Sequence, residues 1–144
     1  MMRRSLFLLA LVSLAGAATA DLSQIRQEKN PEKRADLAVD HADGLARSLH
    51  KTYEDGDWQK VQAILVEIGD AVELAYQSLR DSGRSARKSP KHFKRGELKT
   101  REILRRLETF SNEMSVDDRE PADKTRSRVQ KVHDDLLADI MGTK

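Results

Sequence analysis

From Pro31 onward the apolar residues return in alternating steps of three and four, the seam spacing of helices packed nearly parallel or antiparallel. The first run is Ala35, Ala38, Ala42, Leu45, Leu49 and Thr52. The second and cleanest is Trp58, Val61, Leu65, Ile68, Val72, Ala75 and Leu79, with Ile64 and Ala71 widening the stripe. The third is Phe93, Gly96, Thr100, Ile103, Leu107, Phe110 and Met114, and the fourth runs Ala122, Thr125, Val129, Val132, Leu136 toward Ile140. No segment alternates with the period of two of a half-buried strand. The pattern predicts an all-α fold of four long helices.

Local signals place the ends. Proline disfavours helical geometry in the residue before it, so Asn30-Pro31 separates a short segment, residues 21–30 with Leu22 and Ile25, from the first long helix. Gly56 suits a left-handed helix end and Asp57 a cap, and such a tight joint makes the flanking helices antiparallel. Ser82-Gly83 ends the second helix, Ser89-Pro90 reads as a cap followed by proline at the first helical position, and the acids Asp117 and Asp118 before Pro121 start the fourth. The predicted helices cover about 31–55, 57–82, 90–115 and 118–141, in one domain spanning 31–144. Short connections make this an antiparallel up-down four-helix bundle.

The nine residues Tyr53 to Val61 resemble the inter-helix turn of a tetratricopeptide repeat. A second unit is due about 34 residues on, where Arg87 stands in a basic loop, and the flanking helices are too long. A bundle hairpin turn is the better reading.

Residues 1–20 carry a different pattern: Arg3 and Arg4, an apolar run from Leu6 to Leu14, then Ala18-Thr19-Ala20 before Asp21. A basic start, an apolar stretch too short to span a bilayer and small residues at the −3 and −1 positions predict a signal peptide cleaved after Ala20. The expected location is outside the cytoplasm, periplasmic or secreted. Arg3-Arg4-Ser5-Leu6-Phe7 meets the loosest twin-arginine motif, but the minimal basic start and strongly apolar run favour the general secretory route. The absence of cysteine excludes disulfides, thiolate nucleophiles, covalent haem attachment and a lipidated N-terminal cysteine.

The formal net charge of +2 belongs to the two leader arginines, since residues 21–144 hold 24 basic and 24 acidic side chains. The distribution is uneven. Residues 21–79 have 7 basic and 12 acidic side chains, 80–106 have 11 and 3, and 107–144 have 6 and 9. With Phe93 and Ile103 on the seam, Lys91, Lys94, Arg95, Arg101 and Arg105 fall on the outer face, continuous with Arg84, Arg87 and Lys88 in the preceding loop. Leu98 sits among them. Such a band suits an anionic partner, an acidic protein or an anionic component of the cell envelope. It lacks the interleaved aromatics of a nucleic-acid surface, so nucleic acid is not expected.

His41 in the first long helix and His133 in the fourth are the candidates for a metal or haem site, because bundles hold such groups between facing helices. Both flank their seams. The histidine–methionine pattern of exported four-helix b-type cytochromes is incomplete, since the first long helix has no methionine, and Gln130 breaks the Glu-x-x-His pattern of di-metal bundles. No cofactor is expected. Glu67, Asp70 and Glu73 lie on the outer side of the second helix as solvated acids, Asp139 near a frayed end, and no nucleophile triad, phosphate loop or zinc helix occurs. The chain reads as a non-enzymatic interaction or envelope-associated protein, with a cofactor-binding bundle or a structural protein as alternatives. The stretches Lys91 to Leu98 and Val132 to Leu137 resemble those of small exported bacterial helical-bundle proteins of uncharacterised function, which implies fold and location only.

Overall fold

The computed structural model describes residues 21–143. The signal-peptide and export-route readings concern residues 1–20 and lie outside the described residues. The helices are α1 (Leu22–Arg26), α2 (Pro31–Glu54), α3 (Trp58–Asp81), α4 (Lys91–Glu113) and α5 (Glu120–Met141), with a single 3-10 turn at Val116–Asp118 between the last two. No strand occurs among the described residues. None of these helices is long and apolar enough to cross a membrane.

Each start and stop has a local cause. Asn30 accepts a hydrogen bond from the Lys33 amide and Asp57 one from the Lys60 amide, capping α2 and α3. Gly56 (φ 78°) turns the chain between them in the left-handed conformation, where a side chain would be strained. The α4 start differs from the sequence expectation: Pro90 itself is the cap residue, with no capping side chain. The fourth long helix likewise begins at Glu120, because Asp117 and Asp118 belong to the 3-10 turn.

The seams are buried as their spacing requires. Leu49, Val61, Leu65, Ile68, Leu79, Ile103, Leu107, Met114, Val129 and Leu136 are almost wholly removed from water. Leu45, Trp58 and Ile140 are half-buried at its margins. Leu22 and Ile25 of α1 add to this core, and Arg34 holds α1 in place. Its guanidinium donates to the Glu28 carbonyl (2.8 Å) and to Ser78 Oγ on α3 (2.7 Å).

The packing order of the helices positions the site. α2 and α3 form one antiparallel hairpin and α4 and α5 another. The second lies beside the first, so that α2 packs on α4 and α3 on α5, while α2 and α5 hardly touch. The ladder of contacts between α2 and α4 runs Asp36 to His92, Asp40 to Arg95 and His50 to Glu113, so these neighbours are parallel. Chain direction still alternates along the sequence as in an up-down bundle, and the α3-to-α4 connection crosses the diagonal. At one end Tyr53 locks the two hairpins: its ring stands edge-on to Phe110 (5.8 Å), and its hydroxyl bonds Asp118 (3.2 Å).

Candidate functional site

The basic segment is divided by the acids of α2. Glu32, Asp36 and Asp40 repeat every fourth residue, which keeps them on one side of the helix, and Asp43 continues the stripe. Because α4 runs parallel beside that stripe, its cations meet the acids in order. Arg84 in the loop reaches Glu32 (3.0 Å), His92 reaches Asp36 (2.9 Å) and Glu32 (3.4 Å), and Arg95 reaches Asp40 (2.7 Å). Further along, Asp43, only 4% exposed, is surrounded by Arg47 (3.0 Å), Arg106 (3.4 Å) and Lys99 (3.6 Å). A buried carboxylate requires such company, since desolvating a lone charge costs several kcal/mol.

Of the eight predicted basic-band residues, these contacts pair Arg84 and Arg95 with acids of α2, while the Arg84 side chain stays exposed. Arg95 leans toward α2, contrary to the outward face assigned from periodicity, because a guanidinium stem is long enough to swing to a neighbouring helix's carboxylates. Arg101 turns back to Glu97 on its own helix, and Arg105 approaches Glu102 only at 4.0 Å. The other four, Arg87, Lys88, Lys91 and Lys94, are exposed and have no acidic partner among the described residues. They form a continuous group around the start of α4, where no acid occupies the first turn to offset the positive end of the helix dipole.

The histidine candidates are not brought together. His41 sits 3.6 Å from Glu67 of α3, and His133 sits 3.0 Å from Glu97 of α4. Their helices, α2 and α5, occupy opposite corners of the bundle. Both imidazoles are largely covered at the margins of their seams. Glu97 is itself buried: desolvation pushes its carboxyl up, but the hydrogen bonds from Arg101 and His133 outweigh this and hold it below the ordinary range. Among the described residues no group of three or more His, Asp or Glu side chains is placed to hold a metal ion.

Two further sequence readings are corrected. Asp70 and Glu73 are not merely hydrated acids, because Arg128 of α5 reaches over to bond both, at 2.7 and 2.8 Å. The hydrogen bonds to Glu73 and Asp70 raise the guanidinium's proton affinity further still, against the opposing effect of burial. Arg128 lies across Gly69, where a Cβ would run into its guanidinium. Asp139 is not frayed: it accepts the Tyr76 hydroxyl at 2.8 Å, and Gly142 closes α5 with φ 67°. Asp139 and Tyr76 border a cleft of about 460 Å³ with Arg80, Ala86, Arg87 and Phe93.

His92 and His50 were passed over by sequence reasoning. His50 joins Glu113 of α4 (2.6 Å) and Glu54 (2.9 Å), and the hydrogen bond to Glu113, followed by the charges of both acids, raises its imidazole above the ordinary 6.5. The signal that could have found the α2/α4 contact is the match between two stripes, acids at 32, 36, 40 and 43 and bases at 92, 95, 99 and 106. Among the described residues of the basic face, no nucleophile and base stand in hydrogen-bonding partnership. Comparison with family models, with curated proteins and with solved structures returns no match for this chain.

Proposed function

We propose that this chain is an exported, non-enzymatic helical-bundle protein that acts by contact, its basic end meeting an anionic partner at the cell envelope. Export rests on the leader pattern of residues 1–20. The contact role is supported most by the division of the basic segment: α2 satisfies Arg84, Arg95, Lys99 and Arg106, while Arg87, Lys88, Lys91 and Lys94 stay exposed without an acidic partner among the described residues. Exposed cations in one place raise the local concentration of an anionic partner and speed its encounter, more so at low salt.

The test is covalent capture of partners in intact cells, comparing the native protein with a variant in which Arg87, Lys88, Lys91 and Lys94 are changed to glutamate. A partner captured by the native chain and lost in the variant is the expected result. The same partners captured by both, or the protein retained wholly in the cytoplasmic fraction, overturns the reading.

A further inference from the structure

The basic end also carries apolar side chains that the core does not use. Leu98 of α4 is 57% exposed, and Leu137 and Met141 of α5 are 38% and 62% exposed. On α4, Lys91, Lys94 and Leu98 follow one another at steps of three and four and so form one ridge. On α5, Leu137 and Met141 are one turn apart. The two helices are antiparallel, with His133 against Glu97 and Leu136 beside the space that a Cβ at Gly96 would fill. One turn beyond His133, Leu137 comes level with the first turns of α4, and Gly142 lies against the Arg87 side chain. Leu98, Leu137 and Met141 are therefore set around the same four cations.

We infer that this face rests on an anionic lipid bilayer, with Lys88, Lys91 and Lys94 at the phosphates and Leu98, Leu137 and Met141 entering the headgroup boundary. The inference rests on the contact reading above and names its partner. Charge complementarity is supplied by the cations that α2 leaves unpaired, and a polybasic surface is attracted to anionic lipid in proportion to its free lysines and arginines. The apolar side chains favour a bilayer over an acidic protein. Interfacial elements combine basic flanks with a shallow apolar tip, and lysine stems lie along that apolar surface while their ammonium groups stay at the phosphates. Asp134, the acid one turn before Leu137 and Ala138, is engaged by Gln130 at 2.8 Å.

The protein isolated from expressing cells, its N-terminus read by mass spectrometry, is titrated with phosphatidylglycerol–phosphatidylcholine vesicles, with phosphatidylcholine vesicles alone and with soluble polyglutamate. Two variants accompany it, Lys88→Glu/Lys91→Glu/Lys94→Glu and Leu98→Ser/Leu137→Ser/Met141→Ser. All share one N-terminus, so only this face differs. Circular dichroism confirms that each is folded.

The charge variant is expected to lose about a hundredfold in affinity for the anionic vesicles. The apolar variant is expected to lose about tenfold there while binding polyglutamate like the native protein. If the apolar variant keeps full vesicle affinity, the bilayer inference falls and the anionic contact stands. If the charge variant matches the native protein on both vesicles and polyglutamate, both readings fall together.

Discussion

The two flanks of α4 carry similar residues in different circumstances. The flank toward α2 holds His92, Arg95, Lys99 and Arg106, each within reach of a carboxylate on the neighbouring helix. The opposite ridge holds Lys91 and Lys94, with no acidic partner among the described residues, and the exposed Leu98. Charge counted along a sequence window therefore overstates the charge presented to a partner. What decides availability is the side of the helix on which a cation falls and which helix packs there.

The difference is open to direct attack. The largest effect is expected at Asp43, where replacement by alanine leaves Arg47, Lys99 and Arg106 crowded around a vacated, largely dry position. A loss of about 3 kcal/mol is expected in urea unfolding, toward the lower end of the cost of breaking a buried pair because these cations can turn partly to solvent. A loss under about 0.5 kcal/mol, the size of an ordinary surface change, would show that the α2 flank is no more integrated than the outer ridge.

Glu97 comes next. Its folded carboxyl is held below the ordinary value of 4.5, so the unfolded chain binds its proton more readily and the contribution to stability is fully present above that value. Glu97→Gln is therefore expected to cost about 1.5 kcal/mol near neutral pH. The gap from the native protein should close as the pH falls through the lower folded value. A gap that widens on acidification would reverse the assigned sign.

Reversing Arg87, Lys88, Lys91 and Lys94 together is expected to change stability by less than about 1 kcal/mol, four charges notwithstanding, since none of them has an acidic partner among the described residues. Smallest of all is Leu98→Asp. Its melting temperature should match the native one to within the equivalent of about 0.5 kcal/mol, and a large drop would mean that α4 is turned differently about its axis.

The seams were legible because burial imposes a period: Phe93, Gly96, Thr100, Ile103, Leu107 and Phe110 are all buried, and Leu98 is exposed as that register requires. Asp43 and Glu97 were not legible as buried residues. They flank the seam, where hydropathy alone assigns an acid to water, and burial is tolerable because Arg47 and Arg101, one turn on along the same helices, are joined by Lys99 and Arg106 of α4 at Asp43 and by His133 of α5 at Glu97. The partners from other helices depend on helix order. An arrangement with α3 beside α4 and one with α2 beside α4 have the same apolar pattern, so periodicity could not separate the paired Arg95 from Lys94, which has no acidic partner among the described residues. The α5 reach of Arg128 to Asp70 and Glu73 escaped notice for the same reason, being a contact between residues 58 and 55 positions apart.

The Tyr53 lock makes the single tryptophan an optical gauge of how the hairpins are joined. Trp58 stands edge-on to Tyr53 with ring centroids 6.2 Å apart, and Tyr53 in turn touches Phe110 and Asp118 across the molecule. Indole emission thus senses whether the second hairpin is docked, whereas helical ellipticity senses both hairpins wherever they are. During unfolding, an emission change that precedes the loss of ellipticity would report two helical pairs that part before they melt, and coincident curves would report one cooperative unit.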